Sequence, residues 1–324
     1  MSKVAIANGE NRKENIIKAI NLIKKDIGSA IKTKKKDTLF IKINAIDINI
    51  PLACTHVEAL DAVLEVFYDK FKEIIIGDNS FAFTKYNGGP YRKILNKYKK
   101  IKFSDLSEFD SEKVFFEKIN AEKIIGEISI LQKKTFSISL ALPKTHDTFV
   151  YTGCLKNMVG CVIKNRSGIH ALNRYERLFL RRFIESNKAK WNNLFKVIEE
   201  TRPDLCILDG YYGMEGDGPL LGSKVKLGIA MCSLDGVALD KLAAKICGFD
   251  YVPYLELFPP KNIEIIKEGF EDIKEINRRF KQHYNLKHQI TMNSSAPFLD
   301  LMPVFSELKR PYRIKDRIME MIRK

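Results

Sequence analysis

Residues Glu73 to Asp78 read E-I-I-I-G-D, an apolar run with no polar alternation. Such a run can be a strand only if both of its faces are covered, which is the situation of a parallel strand inside an α/β sheet. Comparable runs occur at Val4–Ala7, Thr38–Ile46, Phe136–Leu142, Pro203–Gly210 and Val225–Cys232. Helical spacing lies between them. Asn11–Ile27 places Ile16, Ile20 and Ile23 on one face and meets Gly28 as its stop. A second helix starts at Thr55, which has capping-box spacing to Glu58, and carries Val57, Leu60, Leu64 and Phe67. A long helix is expected over Ala171–Glu200, and another over Asp235–Ile246 with Asp235 as N-cap and Gly248 after it.

Strands alternating with helices predict an α/β fold: a largely parallel sheet flanked by helices, with a small inserted lobe around 81–132. Residues 1–250 are expected as the α/β domain. Residues 251–324 are expected as a C-terminal helical extension packed on it, including an amphipathic helix around Phe270–Phe280 and a basic final helix.

Several expected strands release polar residues where they end. They deliver Thr55 and His56, then Asp78 and Asn79, then Lys144, Thr145, His146 and Asp147, and finally Asp209 with the loop to Asp217. In a parallel sheet these ends share one edge, where residues distant in sequence converge. His56 and Thr55 also have a plain reading as the first turn of a capped helix. Lys144 and His146 follow Pro143 at a strand end, in an expected solvated loop, and Lys156 lies just inside a Gly-led helical segment. A cation there opposes the helix dipole, so stability gives no reason for it, whereas a bound anion would. In the loop Gly210–Pro219, the glycines 213, 216 and 218 could turn backbone N–H groups onto an anion. Asp209, Glu215 and Asp217 could instead hold a divalent metal, and a simple turn would explain the glycines but not the acids.

The six cysteines (54, 154, 161, 206, 232 and 247) show no C-x-x-C spacing, so no iron–sulfur cluster or zinc knuckle is encoded. Cys154 and Cys161 are two helical turns apart, and with His146 or His170 would make a Cys/His metal site only as a minority reading. A net charge of +15 invites polyanions. Yet the lysines stand singly among acids, and Arg174, Arg177, Arg181 and Lys188 fit a solvated helix face. Nucleic acid is therefore the less favoured partner. No run approaches the ~20 apolar residues of a membrane span, and no secretory h-region is visible. A cytoplasmic protein without a membrane partner is expected.

The ordered motifs resemble the DUF362 family, whose members often occur fused to or beside iron–sulfur ferredoxin modules. The resemblance covers roughly residues 38 to 250. It rests on T-H at Thr55 and His56, G-D at Gly77 and Asp78, P-K-T-H at Pro143 to His146, and L-K-N-x-x-G-C at Leu155 to Cys161. Lys164, His170, D-G-x-x-G-M-E-G-D-G-P at Asp209 to Pro219 and D-x-x-A-x-D-x-x-A at Asp235 to Ala243 complete it. Val57 stands where the family commonly has proline, and the ferredoxin cysteines are absent, so a redox partner would be a separate ferredoxin-type protein. The resemblance implies an α/β domain with these shared polar residues on one edge, and it supplies no reaction.

The leading expectation is an enzyme or enzyme component that binds an anionic small molecule, with or without a divalent metal; no other cofactor is indicated. His146, Lys144 and Asp209 are the candidate catalytic residues. Thr55, His56, Asp78, Lys156, Asn157, Lys164 and His170 are the candidate anion-binding residues, and Glu215 and Asp217 the candidate metal ligands. The alternatives are an RNA- or DNA-binding or RNA-modifying component that uses the basic helix, and a non-catalytic scaffold for a cofactor or redox partner.

Overall fold

The computed structural model describes residues 1–79, 89–117, 123–170 and 180–283. The strands are β1 (Ser2–Asn8), β2 (Thr38–Ile43), β3 (Glu73–Asp78), β4 (Ile101–Asp105), β5 (Ser111–Glu117), β6 (Lys123–Ser129), β7 (Phe136–Ala141), β8 (Lys144–His146), β9 (Val150–Thr152), β10 (Val162–Lys164), β11 (Leu205–Glu215), β12 (Ser223–Ser233) and β13 (Ile263–Glu268). The helices are α1 (Arg12–Leu22), α2 (Lys24–Lys34), α3 (Val57–Phe67), α4 (Leu131–Lys134), α5 (Cys154–Asn157), α6 (Leu180–Thr201), α7 (Gly236–Ile246) and α8 (Ile273–Ile276).

The main sheet runs β13-β1-β12-β11-β7-β2-β3-β4. Only β12 runs against its neighbours; the other adjacent pairs are parallel. The α/β fold with a largely parallel sheet flanked by helices is therefore present. Strand alternation splits the core between the two faces. Ala5, Leu39, Ile41 and Ile43 point to the side covered by α1 and α3. Val4, Ile6 and Phe40 point to the side covered by α6 and α7. Lys42 belongs to the second face, two residues on from Phe40.

The region around 81–132 is more integrated than a separate lobe. It supplies β4 to the main sheet, and β5 and β6 to a small antiparallel sheet completed by β10. Beyond residue 250 the chain adds β13, which lies parallel to β1 with Ser2 opposite Ile263. The helix expected over Phe270–Phe280 shrinks to Ile273–Ile276, held by a capping box of Asp272 and Glu275. The expected basic C-terminal helix lies outside the described residues.

Local chemistry corrects two expected helix boundaries and bears out a third. The expected helix Asn11–Ile27 is two helices that meet at Ile23, and Gly28 is inside α2 rather than at a stop. Thr55 does not cap α3. His56 does, its Nδ1 accepting from Glu58 N–H, because the Thr55 hydroxyl is spent on Leu140 O (2.9 Å) and Asn44 N–H (2.8 Å). At α7 the cap is as expected: Asp235 accepts from Val237 and Ala238 N–H at 3.1 Å each. It also takes a bond from the Ser2 hydroxyl at 2.7 Å, tying α7 to β1. Asp235→Ala should lower stability in urea unfolding by about 1–2 kcal/mol, as lost N-caps do.

Candidate functional site

The carboxyl edge is built on a buried ion pair. Lys42 is 1% exposed, and its Nζ lies 2.8 Å from Asp78 Oδ1, joining the ends of β2 and β3. Asp78 also accepts from Ala45 N–H (2.7 Å) and Asn79 N–H (2.8 Å), and Lys42 donates to Ile43 O (2.6 Å). Asn157 closes the network: its Nδ2 donates to Lys42 O (2.9 Å) and Ser139 Oγ (3.1 Å), and its Oδ1 accepts from Lys42 Nζ (3.4 Å). Any Cβ on Gly160 would collide with the Lys42 ammonium and the Asp78 carboxylate. Asn157 and Gly160 of L-K-N-x-x-G-C thus have a structural task, wrapping a lysine that comes from another strand.

The same segment is anchored from behind. Asp240 in α7 is buried and accepts from Cys154 N–H (2.9 Å) and Leu155 N–H (2.8 Å). Burial pushes its carboxyl up to about 7, while those two N–H bonds oppose the rise. Asp235 caps α7 and Asp240 positions α5, which accounts for both aspartates of the D-x-x-A-x-D motif.

Lys144, Thr145 and His146 do not sit in a solvated loop, as expected from the sequence. They form β8, buried and paired with β9, with Met214 of β11 beside Lys144. The strand resumes because Pro143 O accepts from Met214 N–H (3.1 Å), carrying the pairing past the proline. Lys144 is 1% exposed and its Nζ donates to Ala53 O (2.6 Å). Burial holds it down to about 8. Lys156 is partly exposed, and its Nζ lies 4.8 Å from the centre of the Phe149 ring. Desolvation, then Lys144, holds it down to about 7. Among the described residues, no carboxylate lies within ion-pair distance of either ammonium.

His146 packs edge-on to the same ring, with centroids 5.2 Å apart. Its Nδ1 lies 3.1 Å from Thr148 N, 3.4 Å from Phe149 N and 3.0 Å from Asp147 Oδ1. Unprotonated, Nδ1 accepts from the two amides; protonated, it donates to the carboxylate. Either protonation state has a partner, which suits a group that moves protons.

A second cluster centres on Arg12, in the first turn of α1. Its Nε lies 3.1 Å from Asp209 Oδ2 and its Nη1 lies 3.5 Å from Glu58. The guanidinium stands over the rings of Tyr211 (5.2 Å) and Tyr212 (5.5 Å). Burial raises the Asp209 carboxyl, and Arg12 pulls against that rise. Desolvation, then Arg12, lowers His56. Arg12 therefore links Asp209 to the start of α3.

The segment Asp209–Pro219 is mostly strand and not a glycine loop, since β11 continues to Glu215 opposite Ser223. Gly218 lies so close to Thr145 that a Cβ would strike its carbonyl, and the Thr145 hydroxyl bonds Gly216 O (2.9 Å). Glu215 accepts from Lys281 N–H (2.9 Å), and Asp217 lies 3.7 Å from His283. The turn thus clamps the 251–283 segment onto β8. Among the described residues, no group of three or more His, Cys, Asp or Glu side chains is placed to hold a metal ion. Cys154 and Cys161 are buried, with thiols pushed up by desolvation. Lys164 pairs with Glu127 (2.9 Å) on the small sheet. Arg174, Arg177 and the side chains of His170, Arg181 and Lys188 lie outside the described residues.

Sequence reading missed Lys42 and Arg12. Lys42 had a signal, since it is the one charge inside the apolar run T-L-F-I-K-I. Arg12 had the same signal as Lys156, a cation in a first helical turn. Removing one partner of a buried pair strands the other charge. Asp78→Ala should therefore cost about 3–5 kcal/mol in chemical denaturation, which would mark Asp78 as part of the framework.

Several comparisons with known proteins bear on this arrangement. No curated protein matches the chain at a significant level. A solved structure, the lactate racemase apoprotein from Thermoanaerobacterium thermosaccharolyticum, is similar at 11% identity with a TM-score of 0.44. The match covers 76% of this chain and 58% of that one, so this chain spans little more than half of its neighbour's length. No described helix is long and apolar enough to cross a membrane. The family model described as Domain of unknown function (DUF362) matches residues 39–245, which hold Lys42, Asp78, Lys144, Lys156, Asp209 and Asp240. The chain belongs to the DUF362 family.

Proposed function

We propose that this protein is an enzyme, or the substrate-binding component of one, that takes a small anion against Lys144 and Lys156 at the carboxyl edge of the sheet. One observation carries the reading. Lys42, Arg12 and Asp78 all have opposite charges in reach, whereas Lys144 and Lys156, the first near enough for its charge to lower the second, have no described carboxylate at ion-pair distance. A folded chain gains nothing from desolvating an ammonium group and setting a like charge near it. An incoming carboxylate or phosphate would neutralise both. In this reading His146 is the general acid or base, with Asp147 taking its second proton position, and Arg12 with Asp209 and His56 forms the adjoining wall. Thr55, Asp78 and Asn157 shape the site through the framework and do not themselves touch the anion.

The sign of the pH dependence follows from the depressed lysines. Between the folded value of about 7 and the ordinary lysine value of 10.5, the unfolded chain binds a proton at Lys156 that the folded chain does not. Stability therefore rises with pH across that interval. The penalty of charging Lys156 is fully present below about 7 and is relieved toward 10.5. Lys156→Met should be more stable than wild type at pH 6, with the difference closing as the pH approaches 10, in calorimetric unfolding at stepped pH. A constant difference would mean an ordinary lysine.

Binding is tested with inorganic phosphate, pyruvate and citrate by titration calorimetry on the intact chain. At least one should bind wild type. Lys144→Met and Lys156→Met should each weaken it by about tenfold or more, roughly the 1.4 kcal/mol of a lost charged contact, with the folded state retained. Equal binding by wild type and both variants would remove the assignment.

A further inference from the structure

We propose that Lys156 is an amine nucleophile: the anion received beside Lys144 also carries an aldehyde or ketone, and Lys156 Nζ condenses with its carbonyl carbon to form an imine. This rests on the anion-binding reading and deepens it to a substrate class, the small anionic carbonyl compounds.

The two lysines are differently placed. Lys144 is buried and tied to Ala53 O, so its ammonium has a fixed position and a remaining capacity for an anion. Lys156 is partly exposed, and among the described residues its ammonium has neither hydrogen bond nor ion pair, only the Phe149 ring at 4.8 Å. Among the described residues Lys144 and Arg166 repel its charge and Asp147 favours it. A lysine made easy to discharge is a weakened anion ligand and a strengthened nucleophile. Lys144 remains as the fixed cation for the anion. Its backbone is rigid, because Asp240 holds the N–H groups of Cys154 and Leu155 while Asn157 is bonded to Lys42 and Ser139. His146 and Asp147 stand against the same ring and can carry protons.

The step balances without an added reagent. The lone pair of neutral Nζ attacks the carbonyl carbon, a C–N bond forms, and the C=O π pair moves to oxygen, which takes a proton. The nitrogen sheds a proton to His146. The carbinolamine hydroxyl is then protonated and leaves as water while the nitrogen lone pair forms the C=N bond. The immediate product is the protonated imine, formed from neutral amine, carbonyl compound and one proton from water with release of water; loss of its N–H proton returns that proton and gives the neutral imine, with no change of oxidation state.

The test uses the intact protein, glyoxylate as probe and sodium cyanoborohydride, which reduces the imine to a stable secondary amine located by peptide mass mapping. A value of about 7 leaves roughly half of the amine neutral at neutral pH, against on the order of one part in a thousand for an ordinary lysine. Lys156 should be modified first, about tenfold or more faster than any other lysine, with an initial rate that half-saturates near pH 7. The site is read from wild type, so no variant has to fold; Lys156→Met should lose that modified peptide alone. Modification spread over exposed lysines, with Lys156 no faster than the rest, would overturn the proposal. Phosphate or pyruvate binding that is lost in Lys144→Met, together with no trapping at Lys156, would keep the anion site and sink the imine. Rapid trapping at Lys156 without binding of any carbonyl-free anion would keep the nucleophile and remove the anion reading.

Discussion

A lysine in the middle of a sheet that is covered on both faces has to be paired, because an isolated buried ammonium is too costly to keep. Lys42 is that lysine, and the carboxyl edge is arranged to pair it. Asp78 comes from the adjacent strand, Asn157 from the segment packed above, and Gly160 leaves the space. Each partner is then fixed by further bonds, from Asp78 to Ala45 and Asn79, and from Asn157 to Ser139 on β7. The pair thereby sets the relative position of β2, β3, β7 and the 153–161 segment. Lys156 is carried on that segment, so its location is inherited from the need to satisfy Lys42.

Charge pairing divides the polar residues of this edge into two kinds. Lys42, Asp78, Asn157, Asp235 and Asp240 have complete sets of partners and hold elements together. Lys144 and Lys156 do not: burial holds Lys144 down to about 8, and desolvation, then Lys144, holds Lys156 down to about 7. Groups kept away from their ordinary charge state cost the fold something, and such groups concentrate where chemistry or binding compensates. Arg12 falls between the kinds, shared by Asp209 and Glu58 and stacked on two tyrosines.

The strands of the parallel sheet were legible because doubly covered strands are mostly apolar, as Ile74–Ile76 are and as Phe136–Ala141 is apart from the small buried Ser137 and Ser139. Asp235 was legible as a cap because its chemistry is local. What could not be read depends on pairing across the sheet. Tyr211 to Glu215 look like a glycine-rich loop, yet they form strand because β12 lies alongside them. Lys144 to His146 look solvated after a proline, yet β9 and β11 bury them. Thr55 has ideal capping-box spacing, but Leu140 O and Asn44 N–H compete for its hydroxyl and win. Lys42 went unnoticed as a hub because its partners lie 36 and 115 residues away.

The central claim is that two desolvated lysines await an anion. The direct measurement is a pH titration of the lysine Cε resonances in protein labelled with carbon-13 lysine, assigned with Lys144→Met and Lys156→Met, in the absence and presence of saturating inorganic phosphate. The account predicts midpoints of about 8 for Lys144 and about 7 for Lys156, both moving upward with phosphate as the ammonium forms gain a counter-charge. Midpoints at the ordinary 10.5, or depressed midpoints that phosphate leaves unmoved, would contradict it.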